Sequence, residues 1–420
     1  MEIAKIIAEN IQNLLDERKI PATDLANYLG VARQTITNYL KAVSVIDSVQ
    51  LVKVAEYFNV SASDLLHENT HAGRPEILFR TALNYSEAIA GVQKQITDYL
   101  AAYQNLARKI RKNICYFPEQ YNLMVMYQNN VIDVNFDCQN YFDTKLKVDE
   151  NMDREIARIA DEQRRLLGLG DNGAVSLIPA LTARGVNVIF IDLKTSEISG
   201  LSICDETSGC YIFVNSNTSI TAERQLFTVA HEYGHIILHR PIYHRRLRQY
   251  SENGEKKNLL DSMADCFAGY LLCPEKILSQ YANAFLAVKS DLNELLRAGI
   301  PVKLKLQISF QSLIVALKRY GYISQSVVGE YFRLIKSQGI DRIEPYSITE
   351  YSIQNETFIR EKQVNILYML SSAYTGGFLK GDTKNAIAYF ADCTQQQAEE
   401  MLNRWDAEQR NLSQVFNLTI

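Results

Sequence analysis

The chain has 420 residues, 47% hydrophobic and 22% charged, with 19 Gly and 8 Pro, a composition that excludes a disordered, collagen-like or wholly coiled-coil protein. At roughly 150 residues per domain, this length predicts two to four domains. A formal net charge of −4 excludes a polycation built to coat nucleic acid.

The first fifteen residues are amphipathic and charged throughout, with neither the apolar run nor the small-residue cleavage site of a secretory signal. No window approaches the ~18 apolar residues of a membrane span. The expectation is a soluble, cytoplasmic protein with no membrane partner. Residues 1–70 read as short helices between tight turns. Ile3, Ile6, Ile7, Ile11, Leu14 and Leu15 recur at helical spacing. A second helix starts after Pro21 and stops at Gly30, and a third resumes at Val31 and runs to Leu40. Helix, turn and helix in this order form the helix-turn-helix arrangement.

Over about 60 residues this stretch resembles the lambda-repressor-like (XRE) helix-turn-helix family. The resemblance is carried by Asp24-Leu25-Ala26, Leu29-Gly30-Val31, Arg33-Gln34-Thr35-Ile36, Phe58-Asn59-Val60-Ser61 and Leu65-Leu66. It implies that Arg33, Gln34, Thr35 and Asn38 face the major groove of double-stranded DNA, where Arg and Gln make bidentate base contacts. Ala22, Ala42 and Ile46 stand where a Gln, a turn Gly and a Pro are usual. Residues 1–70 hold six Lys/Arg against nine Asp/Glu, a net of −3. Phosphate neutralisation supplies much of DNA affinity, so the functional reading is DNA binding as a homodimer; the alternative is a domain kept for protein contacts.

Residues 71–150 read as a helical linker. Tyr85, Ile89, Val92, Ile96, Tyr99, Tyr103, Leu106 and Ile110 alternate spacings of four and three, a heptad seam. It fits a coiled-coil or dimerisation segment and equally a long helix packed within its own chain. The cluster Arg108 to Lys112 reads as a solvated helix end, and residues 113–150 as a loop-rich connector.

Residues 151–280 carry the chemistry. A helix closed by Gly168-Leu169-Gly170 and a helical piece from Ala174 to Arg184 lead to three strands: Val186 to Ile191, Ile198 to Ile203, and Tyr211 to Val214. They predict a small antiparallel sheet and, for the whole, a mostly α, multi-domain α+β protein. A long helix then begins near Ser219–Thr221 and contains His231-Glu232-Tyr233-Gly234-His235. Histidines at i and i+4 share a helix face and reach one metal ion, with Glu232 beside the first to take a proton from water. A third ligand is required. His239 lies a further turn along, and His244 falls in a loop after Pro241 among arginines. Asp261 and Asp265, one turn apart on a following helix with Ala264 and Ala268 for close approach, are better placed.

Residues from about 150 to 280 resemble the ImmA/IrrE family of metallopeptidases. The matching residues are Val214-Asn215, Arg224 through His235, and Asp261 through Pro274. The resemblance implies a zincin-like domain, Zn²⁺ as cofactor, Glu232 as catalytic base, and His231, His235 and Asp261 as ligands, with Asp265 as the substitute. Asp261 stands where the family has Glu, one methylene longer, so the second helix must sit closer. The resemblance further implies hydrolysis of a protein substrate, a repressor, in control of stress or mobile-element genes. The alternative is a transcription regulator or antitoxin-like protein whose peptidase fold binds or senses a partner without cleaving it.

Residues 281–420 are mostly helical by pattern. Ile308 to Ile323 resembles a helix-turn-helix-like element that packs under such a site or reads DNA; helices at Val364–Tyr374 and Thr394–Trp405 fit a receptor or a stabilising cap. The seven cysteines, odd in number and without a CxxC pair, read as reduced and mostly buried thiols.

Overall fold

The computed structural model describes residues 2–17, 20–58, 65–66, 78–79, 91–103 (except 93), 136–205 (except 137 and 146), 209–338 (except 253), 344–351, 355–359, 383–416 (except 392) and, between 362 and 374, only scattered positions. The chain divides into two compact units, Met1–Pro75 and Glu76–Ile420.

The first unit holds α1 (Glu2–Glu17), α2 (Ala22–Leu29), α3 (Arg33–Leu40) and α4 (Ser48–Phe58). Extended Pro21 opens α2, and Gly30, at φ 67°, closes it, with the Val31 amide donating to the Ala26 carbonyl at 3.0 Å. Ile7, Ile11, Leu14, Leu25, Leu29, Ile36, Val54 and Phe58 form the core. Ala42 takes the left-handed conformation, at φ 53°, that a glycine adopts without strain. Ile46, in place of the usual Pro, is buried in the core.

The second unit is organised around a four-stranded sheet of β1 (Leu78–Phe79), β2 (Val186–Ile191), β3 (Gly200–Asp205) and β4 (Gly209–Asn215), in the order β1-β3-β4-β2. The sheet is mixed and not antiparallel as expected: β2 and β4 are parallel, while β4–β3 and β3–β1 are antiparallel. The chain leaving β2 passes over one strand position to lay down β3, and the β3–β4 hairpin fills the gap between them.

Strand alternation sends side chains to two cores. Val186, Val188, Phe190, Ile212 and Val214 face a helical core with α5 (Glu150–Leu166), α6 (Leu177–Thr182) and the two helices of the site. Ile189, Ile191, Leu201, Ile203, Tyr211 and Phe213 face a second cluster. There Val92, Ile96, Tyr99 and Tyr103 of the heptad seam pack against the sheet together with Leu370, Ile387, Phe390 and Trp405. The Tyr99 hydroxyl donates to the Phe390 carbonyl at 2.9 Å. The seam positions Tyr85, Ile89, Leu106 and Ile110, the 108–112 cluster and most of the 113–150 connector lie outside the described residues, although Cys138–Thr144 is helical.

The site is carried by α7 (Ala222–Glu252) and α8 (Gly254–Leu272). The α7 backbone stays helical through Pro241 and His244, where a loop was expected, because one proline removes a single backbone donor without ending the helix; the side chains from 240 to 258 lie outside the described residues. Buried Arg164 reaches the Leu271 carbonyl at 2.6 Å and so ties α5 to the end of α8. Beyond lie α9 (Leu292–Leu306), α10 (Phe310–Arg319), α11 (Gln325–Gln338), α12 (Thr383–Phe390) and α13 (Gln395–Phe416). Phe310, Leu313, Ile314 and Leu317 of α10 are buried in the core that holds α7.

One cysteine expectation is corrected. Cys204 and Cys210 face each other across the β3–β4 hairpin and are joined as a disulfide, since the register sets their Cα atoms 4.2 Å apart. Cys266 and Cys273 are free thiols. Burial pushes Cys266 up to about 11 and Cys273 up to about 12, so both stay thiols.

Candidate metal and hydrolytic centre

His231 and His235 stand one turn apart on α7 with their Nε2 atoms 3.0 Å from each other. Two nitrogens bound to one tetrahedral zinc lie about 3.3 Å apart. From α8, Asp261 Oδ1 comes within 3.5 Å of His235 Nε2, and one ligand atom from each of the three residues lies within 4.8 Å of the others. The shorter carboxylate reaches because the helices touch. Gly234 sits between the histidines, and a Cβ there would be 3.3 Å from Ala264 Cα and 3.0 Å from Phe267 Cδ1. Glycine facing alanine lets the backbones approach and makes up for the missing methylene.

Asp265 is placed differently from its expected role as a substitute ligand. Its Oδ1 lies 2.6 Å from His231 Nδ1, the ring nitrogen turned away from the cluster. His239 Nδ1 lies 2.8 Å from His235 Nδ1. Burial, with His235 and His231 adding, holds His239 well below its ordinary pKa, so it is neutral and its Nδ1 can accept a hydrogen bond from His235 Nδ1–H. With both Nδ1 atoms engaged, both Nε2 lone pairs point to the common space.

Glu232 is buried, and its Oε2 accepts a hydrogen bond from Ser202 Oγ at 2.8 Å. Its Oε1, also buried, has no hydrogen-bond partner among the described residues. Ser202 was missed by sequence reasoning. The signal was a polar residue at the inward position of a strand whose alternate residues, Leu201 and Ile203, are apolar. Gly200 brings the strand close, since a Cβ there would collide with Thr228 Cγ2 and lie 2.7 Å from the Phe213 carbonyl oxygen. Tyr233 faces away and donates to Gln163 Oε1 at 2.6 Å, and burial raises its pKa. Two imidazoles, a carboxylate and a second carboxylate with a buried oxygen unpaired among the described residues fit a hydrolytic zinc ion and a water.

In the first unit, α3 presents Arg33 and Gln34 exposed and Thr35 and Asn38 half-buried, opposite buried Ile36. Gln34 Nε2 donates to Asn38 Oδ1 at 3.1 Å, pairing two amides on the outward face.

Comparison with known families matches residues 11–65 to a helix-turn-helix family model and residues 181–317 to the Peptidase M78 model, described as an IrrE N-terminal-like domain. The M78 match runs from the end of α6 to α10 and so takes in strands β2, β3 and β4, though not β1, and α7, α8 and α9 with the His231, Glu232, His235 and Asp261 cluster. Together the two matches support a DNA-binding regulator that carries an IrrE-like peptidase domain. No curated protein and no solved structure matches the chain. Among the described residues, no single helix is long and apolar enough to cross a membrane.

Proposed function

We propose that this chain is a regulatory zinc-dependent endopeptidase that cleaves a repressor or other partner protein and, through its helix-turn-helix, binds double-stranded DNA to control transcription of stress or mobile-element genes. The observation that carries the reading is Glu232: one carboxylate oxygen is fixed by Ser202 and the other is buried and unpaired beside the His231, His235 and Asp261 cluster.

His231 Nε2, His235 Nε2 and an Asp261 oxygen would hold the ion. Zinc held there supplies Lewis acidity and lowers the pKa of a bound water toward neutrality. Asp265 and His239 keep each imidazole in the tautomer that leaves Nε2 free. Ser202 aims the Glu232 carboxylate, whose Oε1 accepts the water proton and returns it to the departing amine nitrogen. The buried flank of Leu226, Val229 and Ile236 fixes α7 so that base and ligands keep one geometry.

Paired copies on DNA follow from the charge of residues 1–70, a net of −3, which limits what one unit can hold. Exposed Val43, Val45, Val49 and Val52 give such a pair an apolar contact.

The test is a Glu232→Gln variant beside the natural chain, each assayed for bound zinc, partner cleavage and DNA binding. The expected result is unchanged zinc and DNA binding with hydrolysis reduced at least 100-fold. Equal hydrolysis in both, or none in the zinc-loaded natural chain, would reject the enzyme in favour of a regulator that binds without cutting.

A further inference from the structure

The two-residue strand β1 lies in an informative place. Among the strands, β3 is the one that reaches the base: Ser202 holds Glu232 at 2.8 Å, and Gly200 packs on Thr228 of α7. One edge of β3 is taken by β4. The other is taken by the chain's own Leu78–Phe79, antiparallel, with Leu78 opposite Ser202 and Phe79 opposite Leu201. Neighbouring strands run about 4.8 Å apart, so this main chain passes one strand spacing from the residue that aims the base. Extended peptides are commonly recognised by addition to a free sheet edge. This one belongs to the chain itself.

We infer that Leu78–Phe79 is presented to the adjacent centre as an intramolecular peptide substrate, and that hydrolysis there severs the helix-turn-helix unit from the peptidase unit. The inference rests on the endopeptidase reading and names its substrate. A further observation supports it. The boundary between the two compact units, Pro75/Glu76, lies three residues or fewer before the strand, so a cut at β1 separates them cleanly.

The step balances with water alone. The water oxygen bonds to the carbonyl carbon of the scissile peptide as Glu232 takes its proton. The carbon–nitrogen bond then breaks, the proton passes to the amine, and a carboxylate and an amine are left.

The full-length chain, purified without metal, is given Zn²⁺ and followed by intact mass. Unrelated casein is present as a second substrate. The expected result is two fragments meeting within residues 76–81, formed with a half-life independent of protein concentration and absent in Glu232→Gln. A readout without turnover accompanies it: a labelled peptide of residues 74–84 binds the Glu232→Gln chain at least tenfold more tightly once Leu78→Pro and Phe79→Pro remove the internal competitor. Melting curves check that the proline variant is folded.

Casein cut while the chain stays whole would overturn this inference and leave the endopeptidase standing. Neither substrate cut would overturn both. A first-order rate constant that rises with protein concentration would move the cut to between copies and overturn the intramolecular arrangement, as would fragments in Glu232→Gln or peptide binding that ignores the prolines.

Discussion

At the scale of single residues, the two aspartates of α8 divide the work by which imidazole nitrogen each can reach. Asp261 approaches His235 Nε2, and Asp265 sits at 2.6 Å from His231 Nδ1. A carboxylate behind a ligating histidine fixes its tautomer and raises its basicity, and its loss typically weakens metal binding 10- to 100-fold. Asp265→Asn is therefore expected to weaken zinc binding by about that factor, and Asp261→Asn, which removes a ligand charge, by more. Competition against a chromophoric chelator measures both, and an Asp265→Asn loss equal to or above that of Asp261→Asn would exchange the two roles. The sequence made the histidines and Glu232 legible because their spacing on one helix is local. It left Asp261 and Asp265 as alternatives, since choosing between carboxylates one turn apart needs the rotation of a second helix against the first. Ser202 lay out of reach because its partner is 30 positions away, on another element.

At the scale of elements, the closeness of α7 and α8 sets the metal site, and one glycine sets the closeness. Gly234→Val would place atoms against Ala264 Cα, at 3.3 Å for the Cβ alone, and overpacking of this kind costs about 1–3 kcal/mol. The expected outcome is a lower melting temperature together with at least tenfold weaker zinc binding; a shift in melting alone would show that Asp261 reaches without the close approach. A second device lies at the start of α7. Lys303, fully buried on α9, contacts Glu223 at 3.1 Å and Glu344 at 3.3 Å, and Glu223 also accepts from the Ile348 amide at 2.7 Å. Burial, with Glu223 adding, pushes Glu344 up to about 7, against the pull of Lys303 and the Phe310 amide. The folded chain thus keeps a proton that the unfolded chain has released above the ordinary 4.5. That contribution, on the order of 2–3 kcal/mol, is fully present below pH 4.5 and is lost as pH rises through 7. Melting temperature should therefore fall between pH 5 and pH 8, and Glu344→Gln should flatten that fall; parallel curves for the two proteins would remove Glu344 as the cause. Such a network is invisible in sequence, where its members are scattered over 120 positions. Most helices of the first unit and strands β2 to β4 were legible within a few residues, because periodicity and glycine stops are local, whereas β1, the helix Cys138–Thr144 and the run of α7 past Pro241 were not. The parallel β2–β4 pair was not, because neighbour order in a sheet depends on where a later hairpin inserts.

At the scale of the whole molecule, the division into Met1–Pro75 and Glu76–Ile420 separates two kinds of energetics. The first unit has its own core and contains none of the clustered ligands, which all lie on α7 and α8. A ligand that binds only the folded form stabilises it by RT ln(1 + [L]/Kd), about 2.7 kcal/mol at 100 times Kd. Zinc should add that increment to the second unit and nothing to the first. Scanning calorimetry of the full chain is therefore expected to show two transitions, of which a strong chelator lowers one. DNA binding, which the proposed reading assigns to the outward face of α3, should not change when the metal is removed. It should instead weaken with salt, because each phosphate contact releases counterions. If the chelator shifts both transitions together, or abolishes DNA binding at constant ionic strength, the units are energetically coupled and the metal acts on the reader as well as on the cutting site.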